Sequence, residues 1–140
     1  MKRALGLVLV IITLLPMARC ARTGPDRWIE VDLQSGRLHA HEGDTTALDA
    51  AVTLGTPRHP VEAGEYYVKA KERRVNGHVG PDAFTMPWLL RLDNGSTIHG
   101  RYWKKRMGQV MMHDAITLRN DDAEWLYNWA AVGTPVIVHD

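Results

Sequence analysis

The segment Trp28-Ile29-Glu30-Val31-Asp32-Leu33-Gln34-Ser35-Gly36-Arg37-Leu38-His39-Ala40-His41 decides the reading of this chain. Ile29, Val31 and Leu33 alternate with Glu30 and Asp32, the period-two pattern of a strand with one wet face. Gln34-Ser35-Gly36 supplies a turn, and Leu38 to His41 resumes the alternation as the return strand of a hairpin. Working outward, Glu42-Gly43-Asp44 closes the hairpin, and Ala47 to Leu54 reads as a further strand before Gly55. Gly55 to Gly64, broken by Pro57 and Pro60, is a loop. Tyr66 to Ala70 is a strand, and Val75 to Pro87, with Gly77, Gly80, Pro81 and Pro87, is expected to be an irregular excursion over a groove. Trp88 to Leu92 and Thr97 to His99 bracket Asn94-Gly95, a hairpin signal that asks for positive φ at both central residues.

One segment carries helical spacing. Asp121 is the expected cap, with Glu124 completing a capping box. Trp125, Leu126 and Trp129 supply an apolar face that marks both tryptophans as core, and Gly133 is the expected C-terminal cap. Pro135 to Val138 then forms a last, buried strand. Short strands with a single helix near the C-terminus predict a mainly β fold, most simply a small sandwich or barrel.

The chain has 140 residues, 45% hydrophobic and 24% charged, with formal net charge +1. That suffices for one core and gives no global drive toward nucleic acid or an anionic membrane. The basic runs Lys69-Ala70-Lys71-Glu72-Arg73-Arg74 and Lys104-Lys105-Arg106 read as solvated faces, with acidic wall polymers as the alternative contact. His39 and His41 share a strand face without a third residue at ligand spacing, and are treated as surface residues.

Residues 1–20 read as an export signal: Lys2-Arg3 is a basic start, and the apolar run Ala4 to Leu15 is shorter than the roughly 20 residues of a membrane span. Residues 21–27 read as a linker and 28–140 as the domain. Cys20 is the single cysteine, so no disulfide forms within the chain. Its place after Met17-Ala18-Arg19 makes it a lipidation candidate, although Arg19 occupies a position that wants a small side chain. The expectation is a protein of the cell envelope or extracellular space, touching a membrane only through a lipid at Cys20. Cleavage before Cys20 removes Lys2, Arg3 and Arg19 and takes the formal charge from +1 to −2.

The motifs are Ile98-His99-Gly100, Tyr102-Trp103, Gly108, Met112-His113-Asp114-Ala115 and Gly133-Thr134-Pro135. In this order and spacing, with Ile29-Glu30-Val31-Asp32-Leu33, Gly36-Arg37-Leu38 and Thr53-Leu54-Gly55-Thr56-Pro57 in front, they resemble the catalytic domain of the L,D-transpeptidase (YkuD-like) family. The resemblance runs from about Trp28 to His139. It implies the small β-sandwich or barrel of that family and an acyl-transfer chemistry on peptidoglycan stem peptides, with no cofactor.

The family motif Ser-His-Gly-Cys falls on Met112, His113, Asp114 and Ala115, so the nucleophile position holds a methyl group. His99, Gly100 and His113 match the family's histidines and glycine. The resemblance therefore implies a family scaffold without its activity, binding a stem peptide or a cell-wall partner protein and no nucleic acid. Tyr102, Trp103, Met112, Asp114 and Trp88 are the groove candidates. Two other readings stand beside it. His99, His113 and Asp114 could hold a metal for hydrolysis, but adjacent residues of a strand face opposite ways, so no metal is expected. Alternatively Met107, Val110, Met111 and Met112 pack the old groove shut, leaving function elsewhere on the surface.

Overall fold

The computed structural model describes residues 26–55, 58–79, 82–101 and 115–140; the side chains of 78, 79 and 82 are not among those described. The expected signal, most of the linker, Cys20 and the segment Tyr102 to Asp114 lie outside the described residues.

The opening hairpin forms as the alternation requires. β1 (Arg27–Asp32) pairs antiparallel with β2 (Arg37–Glu42), with Glu30 opposite His39 and Trp28 opposite His41. Ile29, Val31, Leu38 and Ala40 are fully buried, so the polar alternates face outward. The turn is built by Asp32, whose Oδ1 accepts the backbone N–H groups of Gln34 (2.9 Å) and Ser35 (3.0 Å), and by Gly36 at φ 64°. β3 (Thr45–Ala51) extends this sheet antiparallel to β2.

β4 (Gly64–Val79) and β5 (Asp82–Leu92) form a long antiparallel hairpin, which corrects the irregular excursion expected over Val75 to Pro87. Two local features explain why the breakers are tolerated. A Cβ at Gly77 would run into the Phe84 ring across the hairpin, so the glycine makes room for an aromatic neighbour. Pro87, opposite Arg74, sits where β5 has no second strand beside it among the described residues, and a proline missing its N–H is tolerated on such an edge. β4 also changes partner: Gly64 to Tyr67 pair with β8 (Pro135–His139), whereas Val68 onward pairs with β5 across a bulge at Val68 to Ala70.

β6 (Thr97–Gly100) follows β5 through a tight turn. Leu92 receives the N–H of Gly95 (3.1 Å) and gives its own N–H to Ser96 (2.8 Å), and of the two central residues only Gly95 has positive φ, at 91°. This is a three-residue loop with a glycine bulge rather than the two-residue turn that Asn94-Gly95 predicts. β7 (Ala115–Leu118) lies parallel to β6. The complete order is β3-β2-β1-β8-β4-β5-β6-β7. Thr53, just past β3, exchanges backbone bonds of 2.9 and 2.8 Å with Thr117 of β7, so the order begins and ends at one seam.

α1 (Asn120–Trp129) packs on β5 and β6. It starts two residues earlier than the capping box requires: Arg119 occupies the N-cap and makes no side-chain cap bond, while Asp121 and Asp122 sit in the first turn, where their charge suits the helix dipole. The helix ends at Ala130 in extended conformation, and Gly133, at φ 92°, serves the turn into β8 instead. The buried face is Ala123, Leu126 and Ala130. Trp125 is 38% exposed and stacks on Trp129 along the flank (5.7 Å), so Trp125 is not core; the small Ala123 and Ala130 allow the close helix–sheet approach that two indoles would prevent. Lys71 of β4, within the run read as solvated, gives its Nζ to the Ala130 carbonyl (2.6 Å), supplying the cation that the last turn of α1 lacks.

Candidate functional site

β6 is the strand the site is built on, and all four of its residues are buried. Successive strand residues face opposite ways. Gly100 turns toward α1: a Cβ there would lie 2.7 Å from Asn120 Oδ1, 3.0 Å from Pro87 Cγ and 3.3 Å from Ala123 Cβ. A glycine at the end of this strand therefore lets the first turn of α1 close over it. Ile98 shares that side, so Thr97 and His99 face the other.

The parallel register of β6 and β7 sets Thr97 beside Ala115 and His99 beside Thr117. Ala115 and His99 are thus diagonal neighbours on one face, with Cα atoms roughly 7–8 Å apart by sheet geometry. Parallel neighbours need a crossover of a dozen or more residues, which is why the two motifs are separated by the segment 101–114. His113, Met112, Asp114, Tyr102 and Trp103 all belong to that crossover, and from 102 to 114 it lies outside the described residues.

His99 is 0% exposed, and its Nδ1 lies 2.7 Å from the carbonyl of Gly100. Since the carbonyl only accepts, Nδ1 carries the proton and Nε2 keeps its lone pair. Burial pushes the imidazole below its ordinary pKa, against the opposing pull of that hydrogen bond. The result is a neutral imidazole whose Nε2 is the basic nitrogen, the form in which histidine takes a proton from a neighbouring group. The neighbour at Ala115 is 6% exposed and has no proton to give.

Trp88, a groove candidate, is elsewhere. Its ring packs on Tyr127 of α1 (5.5 Å) and under the Arg73 guanidinium (5.0 Å), on the α1 side of the sheet and away from His99. Its φ of 56° is in the left-handed region, unusual for a bulky residue, next to Pro87.

Histidines of another face were underestimated by their spacing. Glu30, outward on β1, stands opposite His39 and diagonal to His41, two residues along, and supplies the third residue that the strand of His39 and His41 lacks. The signal was available, because counting back from the Gln34-Ser35 turn pairs 30 with 39. The contribution of His139 was not, since β8 reaches β1 from the far end of the chain.

Residues 26–138 match the YkuD family, the L,D-transpeptidase catalytic domain. The chain belongs to this family. It is 32% identical over 113 residues to the probable L,D-transpeptidase 3 of Mycobacterium tuberculosis (strain ATCC 25618 / H37Rv), an alignment covering 71% of this chain and 41% of that protein. Among solved structures, a cysteine-to-serine mutant of the Enterococcus faecium L,D-transpeptidase superposes with TM-score 0.66 and 26% identity, over 82% of this chain and 50% of the other. The crystal structure of L,D-transpeptidase 3 from Mycobacterium tuberculosis gives TM-score 0.66 at 21% identity, over 84% and 62%, a likeness of fold. The chain spans less than half the length of the curated relative it matches. The mainly β fold with one short helix near the C-terminus is that of the family's catalytic domain.

Proposed function

We propose that this chain is an exported L,D-transpeptidase-family domain that has lost the family's acyl transfer and retains a binding role at the cell wall, toward a peptidoglycan stem peptide or a wall-synthesis partner. The carrying observation is the pair Ala115 and His99. The β6–β7 register sets a neutral, buried imidazole diagonal to position 115, and position 115 is alanine. In the family chemistry a cysteine thiolate attacks a stem-peptide amide, forms an acyl-enzyme and passes the acyl group to an amine. A methyl group has no lone pair with which to begin that sequence. Loss of a nucleophile costs roughly 10⁶-fold in the serine-protease case. Asp114 adds a carboxylate at the motif's glycine position, which disfavours an oxyanion nearby.

Retention on purified peptidoglycan, against an unrelated β domain of similar charge, tests the binding half. Specific retention is expected, and retention equal to the control would reject it.

A second reading, that the former groove is closed and the family face only supports the fold, is favoured by the burial of both His99 and Ala115. Thiol labelling of a Cys20→Ser, Ala115→Cys variant separates the two. Modification at the rate of a free thiol fits an open groove; protection until the protein unfolds fits a closed one.

A further inference from the structure

On the outer face of β1, β2, β3 and β8, opposite the core and remote from β6, one carboxylate is surrounded by three imidazoles. Glu30 Oε2 lies 2.8 Å from His41 Nε2 and 3.8 Å from His39 Nδ1, while its other oxygen, Oε1, lies 2.8 Å from His139 Nε2. One donor atom each from Glu30, His39 and His41 fall within 4.8 Å of one another. We propose that Glu30, His39 and His41 form a binding site for a divalent transition-metal ion of the zinc class, with one coordination position open to solvent.

The donor set is the first support. Two imidazoles and one carboxylate are a ligand set that zinc accepts at about 2.0–2.2 Å, leaving a fourth position for water. Ligands of a tetrahedral ion stand roughly 3.4 Å apart at those bond lengths. Seating an ion therefore requires Glu30 Oε2 and His41 Nε2 to part by about half an ångström, and His39 Nδ1, 3.8 Å from the same oxygen, to close by about as much. The three side chains are 17–27% exposed, partly desolvated yet reachable from outside.

The second support is how each ring is held. Metal-bound histidines characteristically have their remote nitrogen anchored by a carboxylate, carbonyl or hydroxyl, which fixes tautomer and orientation. His39 turns Nδ1 toward Glu30, and its Nε2 lies 3.0 Å from Asp49 Oδ1. Asp49 is itself held by Arg37, from its Nε at 2.7 Å and through an ion pair of 2.6 Å. His41 turns Nε2 toward Glu30, and its Nδ1 lies 3.4 Å from the Thr46 hydroxyl, while Trp28 stacks on the ring at 4.0 Å. Glu30 is positioned in turn by His139, which occupies the oxygen an ion at Oε2 would leave. The sheet register gives the same economy: Glu30 and His39 are cross-strand partners, and His41 is two residues along the same face.

The test is titration of the untagged full-length chain with zinc chloride, followed by calorimetry. One ion per chain is expected, with magnesium and calcium producing no saturable heat, because those ions prefer all-oxygen sites. His41→Ala should weaken zinc binding by about 100-fold, and Asp49→Ala, which removes the partner of the remote nitrogen of His39, by roughly tenfold. Cobalt(II) substitution supplies a readout independent of the variants' stability: visible absorption of a nitrogen- and oxygen-ligated ion is expected in the wild type and is displaced by zinc. No saturable zinc binding, equal binding of magnesium, or unchanged affinity in a folded His41→Ala variant would each overturn the proposal.

Discussion

The molecule carries histidine in two opposite settings. His99 on β6 is fully buried and pushed toward the neutral form, with its Nδ1 committed to the Gly100 carbonyl. His39, His41 and His139 stand together on the outer face around Glu30. There the hydrogen bond to the Asp140 carbonyl, with Glu30 second, raises His139 above its ordinary pKa. Glu30 is held below the usual carboxylate range, chiefly by His139 and further by His41, against the effect of burial. The contrast teaches that the family face holds a buried, neutral imidazole beside an alanine, whereas the outer face gathers imidazoles around a carboxylate.

Stability should separate the two regions most strongly. Ile98→Ala, which empties a fully enclosed position of β6, is expected to cost about 2–5 kcal/mol in denaturant unfolding. Gly100→Ala should cost about 1–3 kcal/mol, because the new methyl meets Asn120, Pro87 and Ala123. On the outer face, Glu30→Gln should cost about 1 kcal/mol or less, since its partners are partly exposed. A Glu30→Gln loss as large as that of Ile98→Ala would break the distinction between a structural face and a ligand face.

The pH dependence sharpens it, with opposite signs. The folded pKa of His99 is below the ordinary 6.5, so the unfolded chain binds the proton that the folded chain refuses. Its burial therefore destabilises the fold progressively as pH falls below about 6.5 toward the folded value, and is without effect at higher pH. The folded pKa of His139 is raised above 6.5, so its contribution is full below that value and lost as pH rises through the folded one. The lowered Glu30 contributes fully above 4.5 and loses its contribution as pH falls through its folded pKa. Melting temperatures of wild type, His99→Gln and His139→Gln across this range should show the first variant relieving the acid-side loss and the second flattening the alkaline-side one. The same sign for both variants would contradict the assignment.

What the sequence disclosed follows from which interactions are local. The β1–β2 hairpin was legible because its alternation and turn chemistry lie within one stretch, and the helix because Leu126 and its neighbours repeat at helical spacing. The β4–β5 hairpin was not, because Gly77 and Pro87 read as breakers until Phe84, and an edge of β5 unpaired among the described residues, explain them. Trp125 and Trp129 read as core from periodicity; Trp129 does pack half-buried against the core, whereas Trp125 stands exposed, because periodicity identifies a face but not how closely the sheet approaches it. At the family site, His99 and Ala115 were placed in order by motif, and the parallel register supplied their common face. The Glu30 cluster was half visible: the hairpin pairs Glu30 with His39, while His139 arrives through a parallel pairing that no local pattern encodes.

The central claim is that position 115 removes the family chemistry from an otherwise family-built face. Stem-peptide exchange by purified wild type, beside a variant restored at Met112→Ser, Asp114→Gly and Ala115→Cys, tests it most directly. No turnover above background by the wild type is the predicted result; exchange by the unmodified chain would contradict the account.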